Sequence, residues 1–531
     1  MPQGYLLLIL HAHLPYVRHP EYDRFLEERW FFEAVTETYI PLVKFFDRLQ
    51  EDGIPLKLTA SISPTLANMM EDPLLRDRCV QHLDMMIRLA EKECDRTRDW
   101  HDVHFLSQMY RRLFEEAREV FVDRYDTRLL TAFRKYAESG NLELITCAGT
   151  HGFLPLLSSE PYAVRAQVFA AVQEHERIFG FRPKGLWVPE CAYYPGLDDV
   201  LAEAGIRYFL VDSHGIENAE PRPLFDVNAP LYCPSGVAAF GRHPTTSRLV
   251  WSSRVGYPAD YNYREYYRDI GYELDDYYLD PFRYAQGIRT PTGIKYHRIT
   301  GPQADKHLYN PDWAAGTAYN HAHDFVNRCR EQAARCRMHL PFPPVIVSPY
   351  DAELFGHWWF EGPQWLYHVV RELAGGGDLE LSTPGQYLDR YPIQQKATPS
   401  PNSWGHKGYY EYWVNPKTDW VWRPLHEAAG RMRQAVQRHS ACQRESLEGR
   451  VLCQAGRELM LAQSSDWPFM IARGDTAEYA TRRIGDHLNR FHDLLNRLDR
   501  QEIDPQRLAA FEHMDAILPE LDYHLFAPAP V

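Results

Sequence analysis

The chain has 531 residues, more than one hydrophobic core usually organises, so a large domain with at least one smaller companion is expected. Apolar residues at 45% exclude a disordered chain. A net charge of -14 argues against nucleic acid as a partner, because phosphates call for clustered Lys and Arg.

The chain begins MPQGYLLLILHAH, with an apolar run over 5–10 that is too short for a secretory core or a membrane span and has no basic residues before it. It reads as a buried first strand. Short apolar runs ending in polar residues lie at 5–13, 56–63, 142–150, 185–190, 208–214, 345–351 and 379–383, mostly with helical stretches between them. Strands alternating with helices imply parallel pairing and an α/β architecture. About seven such units suggest a barrel, with function gathered at the C-terminal strand ends.

The rhythm breaks at 71–140, where Leu106, Met109, Tyr110, Leu113, Phe114, Ala117 and Phe121 recur at helical spacing, as in a helical insertion. The stretch 225–268 is rich in Gly, Pro, Ser and Tyr and includes Pro234-Ser235-Gly236 and Gly241-Arg242-His243-Pro244, so a long mobile loop, a lid, is expected there. Beyond Pro424 the chain is helical, with Ile484, Leu488, Phe491, Leu495 and Leu498 on one stripe. Gly474-Asp475 and Asp504-Pro505 punctuate these helices. The organisation expected is a catalytic domain over 1–400 that contains the insertion 71–140, followed by a helical domain over 401–531. Nine scattered cysteines without a C-x-x-C pair fit reduced thiols and a cytoplasmic protein. No later segment is long and apolar enough for a bilayer, and nothing in the sequence calls for a second chain.

Candidate chemistry sits at the strand ends. In Trp187-Val188-Pro189-Glu190-Cys191-Ala192 an apolar strand delivers a carboxylate, which burial would penalise by several kcal/mol without a partner or a task. A salt-bridged rim residue is the plainer alternative. In the run from Val345 to Trp359, Asp351 and Glu353 stand two residues apart before a dense aromatic shell, and spacing alone leaves open which one reacts. Two carboxyl groups on separate strand ends are the equipment of glycoside cleavage, and an aromatic wall would raise the acid's pKa by desolvation. Abundant Tyr, Phe and Trp suit the stacking of sugar rings as well as a large core. His11 and His13 share one side of the first strand and could hold a zinc ion, bind sugar hydroxyls, or simply be structural. His151 ends another strand and could join either arrangement, whereas His321 and His323, at i and i+2 of a helix, read as structural. Trp404, Trp413, Trp420 and Trp422 cluster at the domain junction, and Asp466-Trp467-Pro468 breaks an apolar helix with a polar group, a feature that often faces a site.

At these residues the chain resembles glycoside hydrolase family 57, and within it the α-1,4-glucan branching enzymes. The matching segments, in the family's order, are HAHLPYVRHP (11–20), ELITCAGTHGFLPLL (143–157), GLWVPECAYYPG (185–196), SPYDAELFGHWWFEGP (348–363) and LAQSSDWPF (461–469). The resemblance implies a (β/α)7 barrel with a helical insertion and a C-terminal helical domain. It implies Glu190 as nucleophile and Asp351 as general acid/base, with His11, His13 and His151 around the sugar at the cleavage point. Trp404, Trp413 and Asp466 would contact substrate from the C-terminal domain, and Arg264 would be a further polar contact. It implies no metal and no cofactor, α-1,4-glucan as the partner, and two-step transfer of a glucan chain to a 6-hydroxyl. A 4-α-glucanotransferase or α-amylase is the nearest alternative. A zinc hydrolase using His11 and His13, and an inactive glucan-binding protein indifferent to Glu190→Gln, are the more distant ones. In the family's branching enzymes a loop with a Tyr near its tip covers the cleft, whereas here 234–251 contains no Tyr.

Overall fold

The first strand, β1 (Gly4–Ala12), is buried along its whole length. That is why its sequence is an unbroken apolar run, since a parallel strand covered on both faces has no solvent side to alternate against. The computed structural model describes residues 2–252, 255–285, 287–303 and 305–528. It continues with β2 (Leu58–Ile62), β3 (Leu142–Cys147), β4 (Gly185–Trp187), β5 (Tyr208–Val211), β6 (Leu231–Tyr232), β7 (Ala238–Gly241), β8 (Val345–Asp351), β9 (Leu379–Leu381) and β10 (Gln395–Lys396). The sheet order is β10-β6-β7-β5-β4-β3-β2-β1-β8. From β7 through β8 every neighbouring pair is parallel, which gives the seven strands of the expected barrel. The ring closes through a single backbone bond, His243 N–H to Val347 O at 2.8 Å.

Two sequence expectations need correction. The run at 379–383 does form a strand, but β9 pairs with the start of β1 and lies off the ring. The seventh barrel strand is instead β7, inside the stretch 225–268 expected to be a long loop. Its four residues, Ala-Ala-Phe-Gly, are all buried. Flanking glycines and prolines made it look like a loop, and small residues suit a strand crowded on both faces. The irregular part of that stretch is confined to shorter pieces, among them a helix Pro244–Trp251 beside the cavity described below.

In the insertion, helices Pro73–Arg96 and His101–Arg118 pack against each other, and Leu106, Tyr110, Phe114, Ala117 and Phe121 are buried. The C-terminal helices are Trp422–Arg438, Leu447–Ala462, Asp466–Arg473, Ala477–Arg500 and Pro505–Met514. Gly474, at φ 95, ends the third of these, and the Asp504 carboxylate caps the last by accepting from the N–H groups of Gln506 and Arg507. These helices share one continuous apolar core with the helices around the barrel, while the barrel interior is a separate core. Among the described residues no helix is long and apolar enough to cross a membrane.

Candidate active site

Parity along the strands decides what enters the barrel. Tyr5, Leu7 and Ile9 of β1 and Val345 and Val347 of β8 pack inside, and the even-numbered Leu6, Leu8, Leu10 and Ile346 pack outside. Two and four residues beyond Ile9, and four beyond Val347, the same side carries His11, His13 and Asp351. In register, His11 stands level with Asp351 and with Ser61. The C-terminal ends of the strands therefore open onto a cavity of about 470 Å³, into which His11, His13, His151, Glu190, Asp351 and Glu353 project.

Glu190 follows β4 in a left-handed backbone conformation (φ 59), and so does Cys191 (φ 49). Such a conformation costs a residue other than Gly about 1–3 kcal/mol and persists only when the surroundings enforce it. Here Trp404 does so twice. Its N–H donates to the Glu190 carbonyl at 2.8 Å and its indole Nε1–H to Oε2 at 2.6 Å. A short antiparallel pairing of Tyr193 with Asn402 holds the two segments together. The other carboxylate oxygen accepts from Ser465 Oγ at 2.8 Å. Burial pushes the Glu190 pKa up to about 6, with the Trp404 and Ser465 hydrogen bonds restraining the rise.

Asp351 is different. None of the described residues hydrogen-bonds its carboxyl group, and burial together with the carboxylates of Glu353 and Glu190 drives its pKa well above the usual range, partly countered by Arg242. Near neutral pH, Glu190 is therefore the ionised member of the pair and Asp351 the protonated one. Glu353, left open beside Asp351 by the sequence, accepts from the Tyr39 hydroxyl and from the His13 backbone N–H at 3.2 Å. Those partners make it a support rather than a free acid.

The histidines form an ordered chain. Because Ser465 donates to Glu190, it must accept from His151 Nδ1 (2.8 Å); His151 Nε2 then accepts from His11 Nε2 (3.1 Å), and His11 Nδ1 from Ser61 (3.2 Å). Burial, with the neighbouring imidazoles, lowers the pKa of both His11 and His151 far below the ordinary value, so both are neutral. His151 itself has a left-handed backbone (φ 57). His13 lies flat against His151, ring centroids 3.7 Å apart, and bonds Asp466 at 3.1 Å and Ser63 at 2.9 Å. Burial alone would lower the His13 pKa, but Asp466 outweighs it and the imidazole titrates above its ordinary value; in return, Asp466 is held down to about 2 despite its own burial. The zinc arrangement is disfavoured because both His13 nitrogens already have partners in Asp466 and Ser63, although ligand atoms of His13, His151 and Asp466 lie close enough to face one ion.

The walls are aromatic. Trp187 stacks under His11 at 4.5 Å, Trp251 meets Trp404 edge-on at 6.0 Å, and Trp413 lines the cavity while stacked on Phe153. The aromatic residues after Asp351 do not contribute as expected. Trp359 packs in the core against Tyr263 and Trp365, and Trp358 stacks on Tyr266 away from the cavity lining. Arg264 is also displaced from its expected place. The segment around it pairs with 297–299, through Glu265 N–H to His297 O and Ile299 N–H to Tyr263 O, and this carries the guanidinium to a different cavity. Sequence reasoning missed Arg242, Trp251, Tyr39 and Ser465. Arg242 continues the inward parity of Ala238 and Phe240 and would have been found had β7 been recognised.

Trp404→Phe removes a hydrogen bond to the ionised form of Glu190, so its pKa should rise above about 6. The acid limb of the pH–rate profile should move to higher pH, while the rate at the alkaline side changes less. An unmoved acid limb would refute the role given to this bond.

A parallel barrel whose strand ends present one ionised and one protonated carboxyl group, in a cleft walled by tryptophan, has the features of the carbohydrate-cleaving barrel enzymes. Residues 7–398 match the family model of glycosyl hydrolase family 57, and residues 424–526 match that of the 1,4-alpha-glucan branching enzyme C-terminal region. The chain belongs to glycosyl hydrolase family 57. It is 33% identical to a 1,4-alpha-glucan branching enzyme of Thermococcus kodakarensis, over 97% of this chain and 77% of that protein. It is 28% identical to a probable 1,4-alpha-glucan branching enzyme of Mycobacterium tuberculosis, over 98% and 97%. Among solved structures it is similar to the alpha-amylase AmyC from Thermotoga maritima, with TM-score 0.93 and 42% identity over 100% of both chains. It is also similar to the family 57 branching enzyme from Thermococcus kodakaraensis in complex with glucose, with TM-score 0.88 and 31% identity over 99% and 97%.

Proposed function

We propose that the protein is a 1,4-α-glucan branching enzyme that cleaves α-1,4 bonds with retention and transfers the released chain to a 6-hydroxyl. The observation that carries this reading is the construction of the cleft from both matched regions: Ser465 and Asp466, from the part matching the branching-enzyme model, bond directly to Glu190 and His13 of the barrel. Glu190 Oε attacks C1 of the donor sugar while Asp351 delivers its proton to the departing O4, so the C1–O4 bond breaks and a glycosyl ester forms. The acceptor 6-hydroxyl then gives its proton to Asp351 and attacks C1, releasing Glu190 and leaving an α-1,6 bond. His11, His13 and His151, oriented by Ser61, Asp466 and Ser465, present ring edges to the sugar at the cleavage point. Trp404 provides a stacking face, Trp413, buried against Phe153, backs the same wall, and the α-glucan polymer is the partner. A cytoplasmic setting is supported by nine free cysteines, most of them buried.

A second reading, hydrolysis by an α-amylase, is favoured by one observation, the 42% identity over the full length of the amylase AmyC. Water competes with the 6-hydroxyl for the same ester, so water exclusion decides the outcome. The test is incubation with amylose followed by enzymatic debranching. Branching predicts loss of iodine staining, no matching rise in reducing ends, and new short chains on debranching. A rise in reducing ends with no new short chains would establish hydrolysis instead.

A further inference from the structure

The cavity that receives Arg264 lies apart from the catalytic one, has a volume of about 300 Å³, and is walled by Tyr110, Phe114 and Phe360. We propose that it is a second saccharide site, binding the end of a glucan chain without cleaving it. The inference deepens the function proposed above and rests on it for the choice of glucan.

The first ground is a buried guanidinium with spare donors. Arg264 is 6% exposed, and Glu37 and Glu361 offset its charge from nearby without any carboxylate among the described residues touching the guanidinium. Nη1 makes only long contacts, 3.5 Å to the Tyr110 hydroxyl and 3.4 Å to the Gly293 carbonyl, and the remaining guanidinium nitrogens have no partner among the described residues. Phe360 lies beneath the charge, 4.1 Å from ring centroid to Cζ. Buried N–H donors without acceptors are costly enough that a ligand bearing hydroxyls is their natural complement.

A second polar group fits the same ligand. Glu37 accepts from His357 Nδ1 through Oε2 (2.8 Å), which leaves Oε1 for the cavity. Two left-handed glycines make room for Glu37, one beside its carboxylate and one beside its backbone carbonyl. A Cβ at Gly293 would lie 2.8 Å from Glu37 Oε1, and one at Gly356 would lie 1.9 Å from the Glu37 carbonyl oxygen. A fork of donors and an acceptor carboxylate on aromatic walls match a pyranose, with its apolar C–H faces and vicinal hydroxyls that donate and accept. A phosphate would meet the Glu37 carboxylate, and a purely apolar molecule would leave Arg264 unmatched. The volume, at the lower end of the usual 300–1,000 Å³ for ligand pockets, suits a chain end rather than an extended chain.

Position links this cavity to the reaction. Thr36 and Glu37 belong to a π-helical turn, Val35–Tyr39, whose Tyr39 hydroxyl supports Glu353 in the catalytic cavity. Such turns are rare and often mark functional sites. One turn of helix thus separates the two cavities, so polymer held in one is kept close to the other.

The test uses calorimetric titration of maltotriose into the Glu190→Gln protein, which cannot consume it. Two sites per chain are expected. Ala117→Phe, which fills the second cavity, should leave one. Arg264→Lys, which keeps the charge and loses the fork of donors, should weaken one site by about 3- to 10-fold and spare the other. With Glu190 restored, Ala117→Phe should raise KM for amylose several-fold while leaving kcat on maltoheptaose unchanged. A single site in the Glu190→Gln protein, or two sites indifferent to both substitutions, would overturn the inference. If amylose is not branched yet two sites titrate and Ala117→Phe removes one, only the functional reading fails; if branching holds and one site titrates, only this inference fails.

Discussion

Replacing Glu190 is expected to lower transfer by about 10⁴- to 10⁶-fold, the range in which enzymes lose activity when a nucleophile acting as part of a unit is removed. In Glu190→Gln the amide keeps the shape, its oxygen can still accept from Trp404 and its NH2 can donate to the Ser465 hydroxyl, so the loss reports chemistry rather than collapse. The variant makes a second, independent prediction. Burial comes first in raising the Asp351 pKa, and the Glu190 carboxylate also contributes, so neutralising position 190 should lower the Asp351 pKa from its raised value. The stereochemical test uses Glu190→Ala with an α-glycosyl fluoride, whose fluoride leaves without acid assistance, and azide as the external nucleophile. Azide takes the place of the missing carboxylate, the C1–F bond breaks as C1–N forms, and the product should be the β-glycosyl azide. Full turnover of amylose by either variant would remove Glu190 from the mechanism.

The strand ends were legible in the sequence because parallel strands buried on both faces must be continuous apolar runs, and each such run stops where the barrel opens. The runs ending near His11, Glu190 and Asp351 announced themselves in this way. The strand β7 did not. Four small or aromatic residues between Pro-Ser-Gly and Gly-Arg-His-Pro carry no periodicity, so local composition pointed to a loop and only the pairing with β5 reveals a strand. Arg242 was lost with it. Ser465 and Tyr39 were invisible for another reason. A hydroxyl bonding a carboxylate 275 positions away for Ser465, or 314 away for Tyr39, leaves no local trace. Arg264 was placed by resemblance to the family's contacts, and a local pairing with the chain near 298 put it elsewhere. Short-range patterning thus pointed to the strand ends that carry the candidate acids, without separating Asp351 from Glu353, while the groups that set the charge state of those acids were fixed by long-range contacts.

Asp351→Ala should lower transfer from amylose by about 10²- to 10⁴-fold, the usual contribution of a positioned acid, and the loss should depend on the leaving group. An α-1,4-linked sugar departs as an alkoxide unless protonated, so the first step stalls. From an α-glycosyl fluoride the first step needs no proton, and the β-linked ester on Glu190 should accumulate because no base remains to activate the acceptor. Azide needs no base. It should attack that ester and regenerate Glu190, giving the α-glycosyl azide, the opposite anomer to that expected from Glu190→Ala. The pair of anomers therefore assigns the two roles in one experiment, which loss of activity alone cannot do. The pH profile adds the sign. In the unaltered enzyme activity should fall below about pH 6 as Glu190 is protonated, and again at higher pH as Asp351 loses its proton. Removing the Asp351 carboxylate should abolish the alkaline limb with the fluoride donor. The acid limb should stay at about pH 6, because Asp351 is already protonated, and so uncharged, where Glu190 titrates. An alkaline limb that survives Asp351→Ala, or a β-azide from it, would transfer the acid's role to another group, and Glu353 is the carboxylate positioned to receive it.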